Sequence, residues 1–87
     1  MATYQIEWKA SALHELKAID RQTIPRIVAA IGLLAENPFP PGVRKLRGSE
    51  NTYRLRVGDY RVLYEVHPSS VRILIVRVRH RKDVYRH

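Results

Sequence analysis

The opening of the chain alternates. Tyr4, Ile6 and Trp8 are separated by Gln5 and Glu7, and a period of two predicts a half-buried strand over residues 3–8. The period then lengthens. Leu13, Leu16 and Ile19 fall near one side of a helix expected over residues 10–19, with Ser11 as its start signal. A second helix is expected from about residue 21 to 36, because Ile24, Ile27, Val28, Ile31, Leu34 and Ala35 keep the i, i+3, i+4, i+7 spacing. Pro25 has no backbone N–H, which a helix tolerates only in its first turn, so the helix begins just before it. Asn37-Pro38 ends it, since a proline pushes the residue before it out of the helical region.

Residues 39–48 read as a loop, with Pro40-Pro41-Gly42 and the basic run Arg44-Lys45-Leu46-Arg47. Alternation then returns. Strands are expected over residues 52–57 and 60–66, flanking Gly58-Asp59, a two-residue link of the kind that closes a tight hairpin. His67-Pro68-Ser69-Ser70 turns the chain into a last strand over residues 71–78. The tail beyond it is too polar for a core strand and reads as one helical turn or an extended end. The order β-α-α-β-β-β predicts one α+β domain over residues 1–87, with two helices on one face of a mainly antiparallel four-stranded sheet.

A two-residue hairpin loop fixes the pairing. Val57 faces Tyr60, Arg56 faces Arg61, Leu55 faces Val62 and Arg54 faces Leu63. Carried through the Pro68-Ser69 turn, the same register puts Val62 opposite Ile75 and Tyr64 opposite Ile73. One face then collects Leu55, Val57, Val62, Tyr64, Val66, Ile73 and Ile75, and the helices must cover it. The other face holds Arg54, Arg56 and Arg61, with Leu63, Leu74, Val76 and Val78. Two arginines directly opposed destabilise a sheet by ~0.2–1 kcal/mol, and a bound phosphate would remove that repulsion. The apolar residues beside them predict a covering partner chain.

Composition sharpens this picture. The chain has 87 residues and a formal charge of +8. Residues 1–43 carry four Lys/Arg against four Asp/Glu, whereas residues 44–87 carry twelve against four. Ten of those twelve are arginine, whose planar fork matches phosphate oxygens, so the second half reads as a nucleic-acid surface. There is no cysteine, which excludes disulfides and thiolate zinc sites. The start has no leader-like apolar run, and residues 27–35, interrupted by Gly32, are too short to span a bilayer. A cytoplasmic location is expected. With no Ser-His-Asp pattern, glycine-rich phosphate loop or metal-ligand spacing, any catalysis is expected to use neither metal nor cofactor. His14 and His67 read as surface residues. His80 differs, lying in a basic tail with Arg79, Arg81, Lys82, Tyr85 and Arg86, where an imidazole could exchange protons near neutral pH.

Three runs, KLRG at residues 45–48, YRLRVGDYRVLYEV at 53–66 and HRKDVY at 80–85, resemble in this order the RelE/ParE toxin superfamily and its RelE branch. The resemblance covers nearly the whole chain. It implies a RelE-like fold and the toxin of a type II toxin–antitoxin pair, a ribosome-dependent endoribonuclease that cuts messenger RNA in the A site and so inhibits translation. The implied chemistry is metal-free attack of the substrate's 2′-hydroxyl on the adjacent phosphate. The implied partners are the ribosome, the message and a RelB-like antitoxin with an acidic segment, in a hetero-oligomer. Matched motif to motif, catalytic roles fall on Arg54, Arg56, Arg61, Arg81 and Tyr85, with Arg61 and Arg81 at the scissile phosphate. Lys45, Arg47, Arg79, His80 and Lys82 become RNA contacts, and Leu63, Leu74 and Val76 the apolar part of the antitoxin surface. Arg54 and Arg56 stand where some relatives carry lysine. Arginine is effectively always charged, so these two suit phosphate binding and not proton abstraction. A ParE-like inhibitor of DNA gyrase and a non-catalytic RNA-binding module are the alternatives.

Overall fold

In the computed structural model, which describes residues 3–84, the alternating segments become strands β1 (Gln5–Trp8), β2 (Arg44–Lys45), β3 (Thr52–Val57), β4 (Tyr60–His67) and β5 (Arg72–His80). The helices are α1 (Ala10–Lys17), α2 (Ile24–Leu33) and the single turn α3 (Arg81–Val84). The strands form one sheet in the order β1-β5-β4-β3-β2, with β1 parallel to β5 and every other pair antiparallel. The sheet is therefore five-stranded and mixed, not four-stranded. The extra strand is β2, which lies inside the segment expected to be loop. Its two residues are too few to show a period, and it exists because β3 offers a free edge to pair with.

Both long helices are shorter than their apolar patterns. Lys9 donates its backbone N–H to the Ile75 carbonyl at 2.9 Å, so the β1 pairing persists to Lys9 and α1 starts directly after it. Ser11 therefore lies inside the helix rather than at its start, and no side chain caps α1. Ile24 and Pro25 open α2, where the proline's missing N–H costs nothing. Ala12 and Leu16 of α1, Ile27 and Ile31 of α2, and Leu34 just beyond it meet Val62, Tyr64, Val66, Ile73, Ile75 and Val78 of the sheet to form the buried core. Leu55 and Val57 pack against it half-buried.

Val78 belongs to this core, at 3% exposure, and not to the arginine face. The cause is a bulge. Tyr64 pairs with Ile75 but Leu63 pairs with Arg77, so β5 carries one extra residue, Val76, and its side-chain parity changes there. The pairing beyond the turn is thus Tyr64 with Ile75 and Val62 with Val78, and not Tyr64 with Ile73 and Val62 with Ile75.

Tyr64 is the largest fully buried side chain, and its hydroxyl donates to the Pro38 carbonyl at 2.6 Å. That bond ties the chain leaving α2 to the centre of the sheet. Burial, with Tyr53 nearby, holds the phenol well above the usual tyrosine range. The folded chain therefore keeps a proton that the unfolded chain releases near pH ~10, so stability falls as pH rises above that value. Tyr64→Phe is expected to cost ~1–3 kcal/mol at neutral pH, because the Pro38 carbonyl is left buried and unpaired. The same variant is expected to flatten the alkaline loss; urea unfolding at pH 7 and above pH 10 measures both.

Candidate nucleic-acid interface

The hairpin closes on Gly58-Asp59, with Val57 opposite Tyr60 and Arg56 opposite Arg61, as its spacing implies. Gly58 has φ +59° at the first central position, a backbone conformation that favours glycine. On the face away from the helices, the register lays out two rows. The first runs Arg44, Arg54, Leu63, Arg77 across β2, β3, β4 and β5. The second runs Arg56, Arg61, Arg79 across β3, β4 and β5. Like charges are directly opposed three times, at Arg44/Arg54, Arg56/Arg61 and Arg61/Arg79, and each opposition is destabilising in isolation.

Among the described residues, Glu15 offsets part of this charge. Glu15 of α1 reaches the open edge of β5, accepts the Val78 N–H at 3.0 Å and Arg79 Nε at 3.1 Å, and lies 3.6 Å from an Arg77 nitrogen. Arg79 is consequently half-buried and ion-paired. Arg56 Nε donates to the Gly58 carbonyl at 3.2 Å, folding this exposed side chain back over the turn. On the other flank, Gly42, Arg44, Arg54, Arg56 and Arg61 line a cavity of about 130 Å³.

The Arg81 backbone N–H donates to the Asp59 carbonyl at 2.7 Å. The start of α3 is thereby fastened to the hairpin turn, two residues beyond the Arg61–Arg79 pair. Arg81 and Lys82 are exposed. Tyr85 lies outside the described residues.

His80 is placed elsewhere. It pairs with Tyr60, and the two rings meet edge to face with centroids 5.1 Å apart. Both share the helix-side parity, lining a cleft of about 290 Å³ with Glu15, Ala18, Ile19, Val78 and Arg79. His80 Nδ1 accepts the Lys82 N–H at 3.2 Å, so a neutral ring carries its proton on Nε2. Lys45 sits opposite Tyr53, which gives it the parity of the core face, while Arg47 is exposed in the turn after β2.

The far end of the arginine face is mixed in charge. His67 and Glu65 are 2.9 Å apart, and Arg72 pairs with Glu7 at 3.4 Å. Leu74 stands between Glu7 and Glu65 in its row, and Leu63 between Arg54 and Arg77. Leu63, Leu74 and Val76 are half-buried rather than open. The freest large apolar side chains among the described residues are on the helices and the following loop, with Leu33 at 65% and Phe39 at 49% exposure.

Sequence reasoning passed over Arg44 and Glu15. Arg44 acquires a face only once β2 exists. Glu15 sits on the charged side of an amphipathic helix, where its spacing gives no hint of a strand edge. Glu15→Ala is expected to cost ~1–3 kcal/mol by stripping the Val78 N–H of its acceptor. Glu15→Gln, which keeps an oxygen there, is expected to lose clearly less. Shifts in the urea midpoint at constant m check both.

The described residues thus present a basic, arginine-lined sheet face on a two-helix α+β scaffold. Comparison with known proteins takes this further. The profile described as "ParE toxin of type II toxin-antitoxin system, parDE" matches residues 6–85. Toxin RelG of Mycobacterium tuberculosis is 32% identical over 88 residues, covering 95% of this chain and 97% of its own. The putative toxin RelE1 of Methanocaldococcus jannaschii is 28% identical, covering 95% and 96%. Among solved structures, the archaeal RelE–RelB complex from Pyrococcus horikoshii contains a chain that superposes with a TM-score of 0.81 at 28% identity, covering 91% of this chain and 96% of that one. The chain belongs to the RelE/ParE toxin family of type II toxin–antitoxin systems.

Proposed function

We propose that this chain is the toxin of a toxin–antitoxin pair and a ribosome-dependent endoribonuclease that cuts messenger RNA in the A site. The observation that carries the reading is the run of opposed arginines around the 130 Å³ cavity, with Arg81 fastened to the same hairpin turn. Its relatives named RelG and RelE1 are consistent with the RelE branch. Only RNA supplies a 2′-hydroxyl beside each phosphate. Attack by that oxygen forms the new O–P bond and breaks the P–O5′ bond, leaving a 2′,3′-cyclic phosphate and a 5′-hydroxyl. Negative charge peaks on the phosphorane between these events. Guanidinium groups of Arg61 and Arg81 stabilise it, and Arg54 and Arg56 add charge beside them. None of the hairpin arginines takes the 2′-hydroxyl proton, since a guanidinium is a very poor proton acceptor. Tyr85 is the proposed stacking or proton-transfer group.

A second reading, inhibition of DNA gyrase, is favoured by the ParE description of the matching family profile. Primer extension on a message translated with the purified chain separates the two. Codon-positioned breaks that require ribosomes support the nuclease. Intact message, with gyrase-dependent double-strand breaks in a supercoiled plasmid, supports the gyrase reading. If neither appears, what remains is a non-catalytic RNA-binding module.

A further inference from the structure

The cavity is built by two like-charged pairs, and they are not equivalent. Arg56 and Arg61 face each other beside the turn, whereas Arg54 faces Arg44 two residues further along β3. At ~3.4 Å per residue the pairs stand about 7 Å apart along the strand. That is close to the separation of consecutive phosphates in an extended nucleic-acid strand. Arg44 is exposed and Arg54 half-buried. Gly42, with φ +90°, bends the chain so that Arg44 returns alongside β3. The strand β2 amounts to only two residues, and one consequence of its pairing is to set a fourth arginine on this face.

We propose that Arg44, with Arg54 shared between the two positions, forms a seat for a second RNA phosphate, adjacent to the scissile phosphate beside Arg56 and Arg61. The proposal rests on the nuclease reading for the identity of the strand. It makes β2 part of the substrate surface, with the RNA running obliquely, along β3 away from the turn and one strand across towards β2. It also sets a minimum substrate, a strand with two consecutive phosphates. Arg44 acts in binding and takes no part in bond breaking.

The test uses the full chain without ribosomes and two fluorescent 2′-O-methyl oligoribonucleotides, which cannot be cleaved: a dinucleotide with one phosphate and a trinucleotide with two. The wild-type chain is expected to bind the trinucleotide about tenfold more tightly, the contribution of one charge-assisted hydrogen bond. Arg44→Gln and Arg44→Ala are each expected to erase that gain and leave dinucleotide binding within about twofold, since the Arg56–Arg61 seat is untouched. The slope of log K against log salt for the trinucleotide is expected to fall by ~0.7 in magnitude, and Arg44→Lys to restore it. Equal binding of both ligands by the wild-type chain overturns the proposal. So does an undiminished trinucleotide gain in both variants, or no binding of either ligand at 50 mM salt. Message cleavage is read separately on ribosomes. Its absence alongside an intact trinucleotide gain supports the seat and removes only the nuclease reading.

Discussion

Arg61→Ala and Arg81→Ala are each expected to slow single-turnover cleavage of message on saturating ribosomes by ~10²–10³, the usual loss when one donor aimed at developing charge is removed. Ribosome affinity is expected to change far less. The asymmetry follows from where the charge resides. In the ground state the scissile phosphate carries one negative charge, which several cations on this face screen jointly. In the phosphorane the charge grows at one point, and only cations fixed at that point gain from it. Arg61 sits at the centre of its row, opposite Arg56 on one side and Arg79 on the other. Arg81 is anchored by its own N–H to Asp59. Lys45→Ala and Arg47→Ala are expected to show the reverse, with weaker binding, a shallower salt dependence and a near-normal rate once bound. If Arg61→Ala and Arg81→Ala both cleave at the wild-type rate when bound, this patch is not the active site and the gyrase reading moves ahead.

The hairpin was legible because its geometry is local. Two strands joined by two residues have one register, and the alternation of Arg54, Leu55, Arg56, Val57 assigns each side chain a face. Beyond the Pro68–Ser70 turn, the sequence loses that power. Leu74, Ile75 and Val76 are all apolar, so three consecutive positions fit either face and conceal the extra residue. A signal was nonetheless present. Steps of two from Ile73 put Arg77 in the core, while steps of two back from Val78 put Leu74 there. The two parities are compatible only if the strand slips by one residue between them, which is what the bulge at Val76 does. The β2 pairing and the Glu15 contact were illegible for a different reason. Each joins segments whose own pattern is complete without the other, and only the closed sheet brings them together. The candidate site divides accordingly: Arg54, Arg56 and Arg61 follow from local register, Arg44 from tertiary structure alone, and His80 moves to the helix side because of the same bulge.

Expressed alone, the chain is expected to arrest translation and growth, and co-expression with the protein of the neighbouring open reading frame to restore both. The solved RelE–RelB complex from Pyrococcus horikoshii motivates the expectation of a partner; the chemistry of this chain's own surface indicates where such a partner would bind. An acidic amphipathic segment laid across the rows would neutralise Arg54, Arg56 and Arg61 while covering Leu63 and Val76. Leu63 is the more informative position, because it lies between Arg54 and Arg77 whereas Leu74 lies between Glu7 and Glu65. Leu63→Ala is expected to weaken the complex about tenfold at most, because Leu63 is already half-buried and only part of the ~1.5–3 kcal/mol for full burial is left to gain. Arg54→Glu is expected to weaken it further and to reduce its sensitivity to salt, since the reversal replaces an attraction with a repulsion. Titration calorimetry at two salt concentrations measures both effects. If Leu63→Ala and Arg54→Glu bind as the wild type does while Leu33→Asp abolishes the complex, the antitoxin sits on the helices, where Leu33 and Val28 are exposed. The arginine face would then stay open in the complex, and neutralisation would have to work by some means other than covering it.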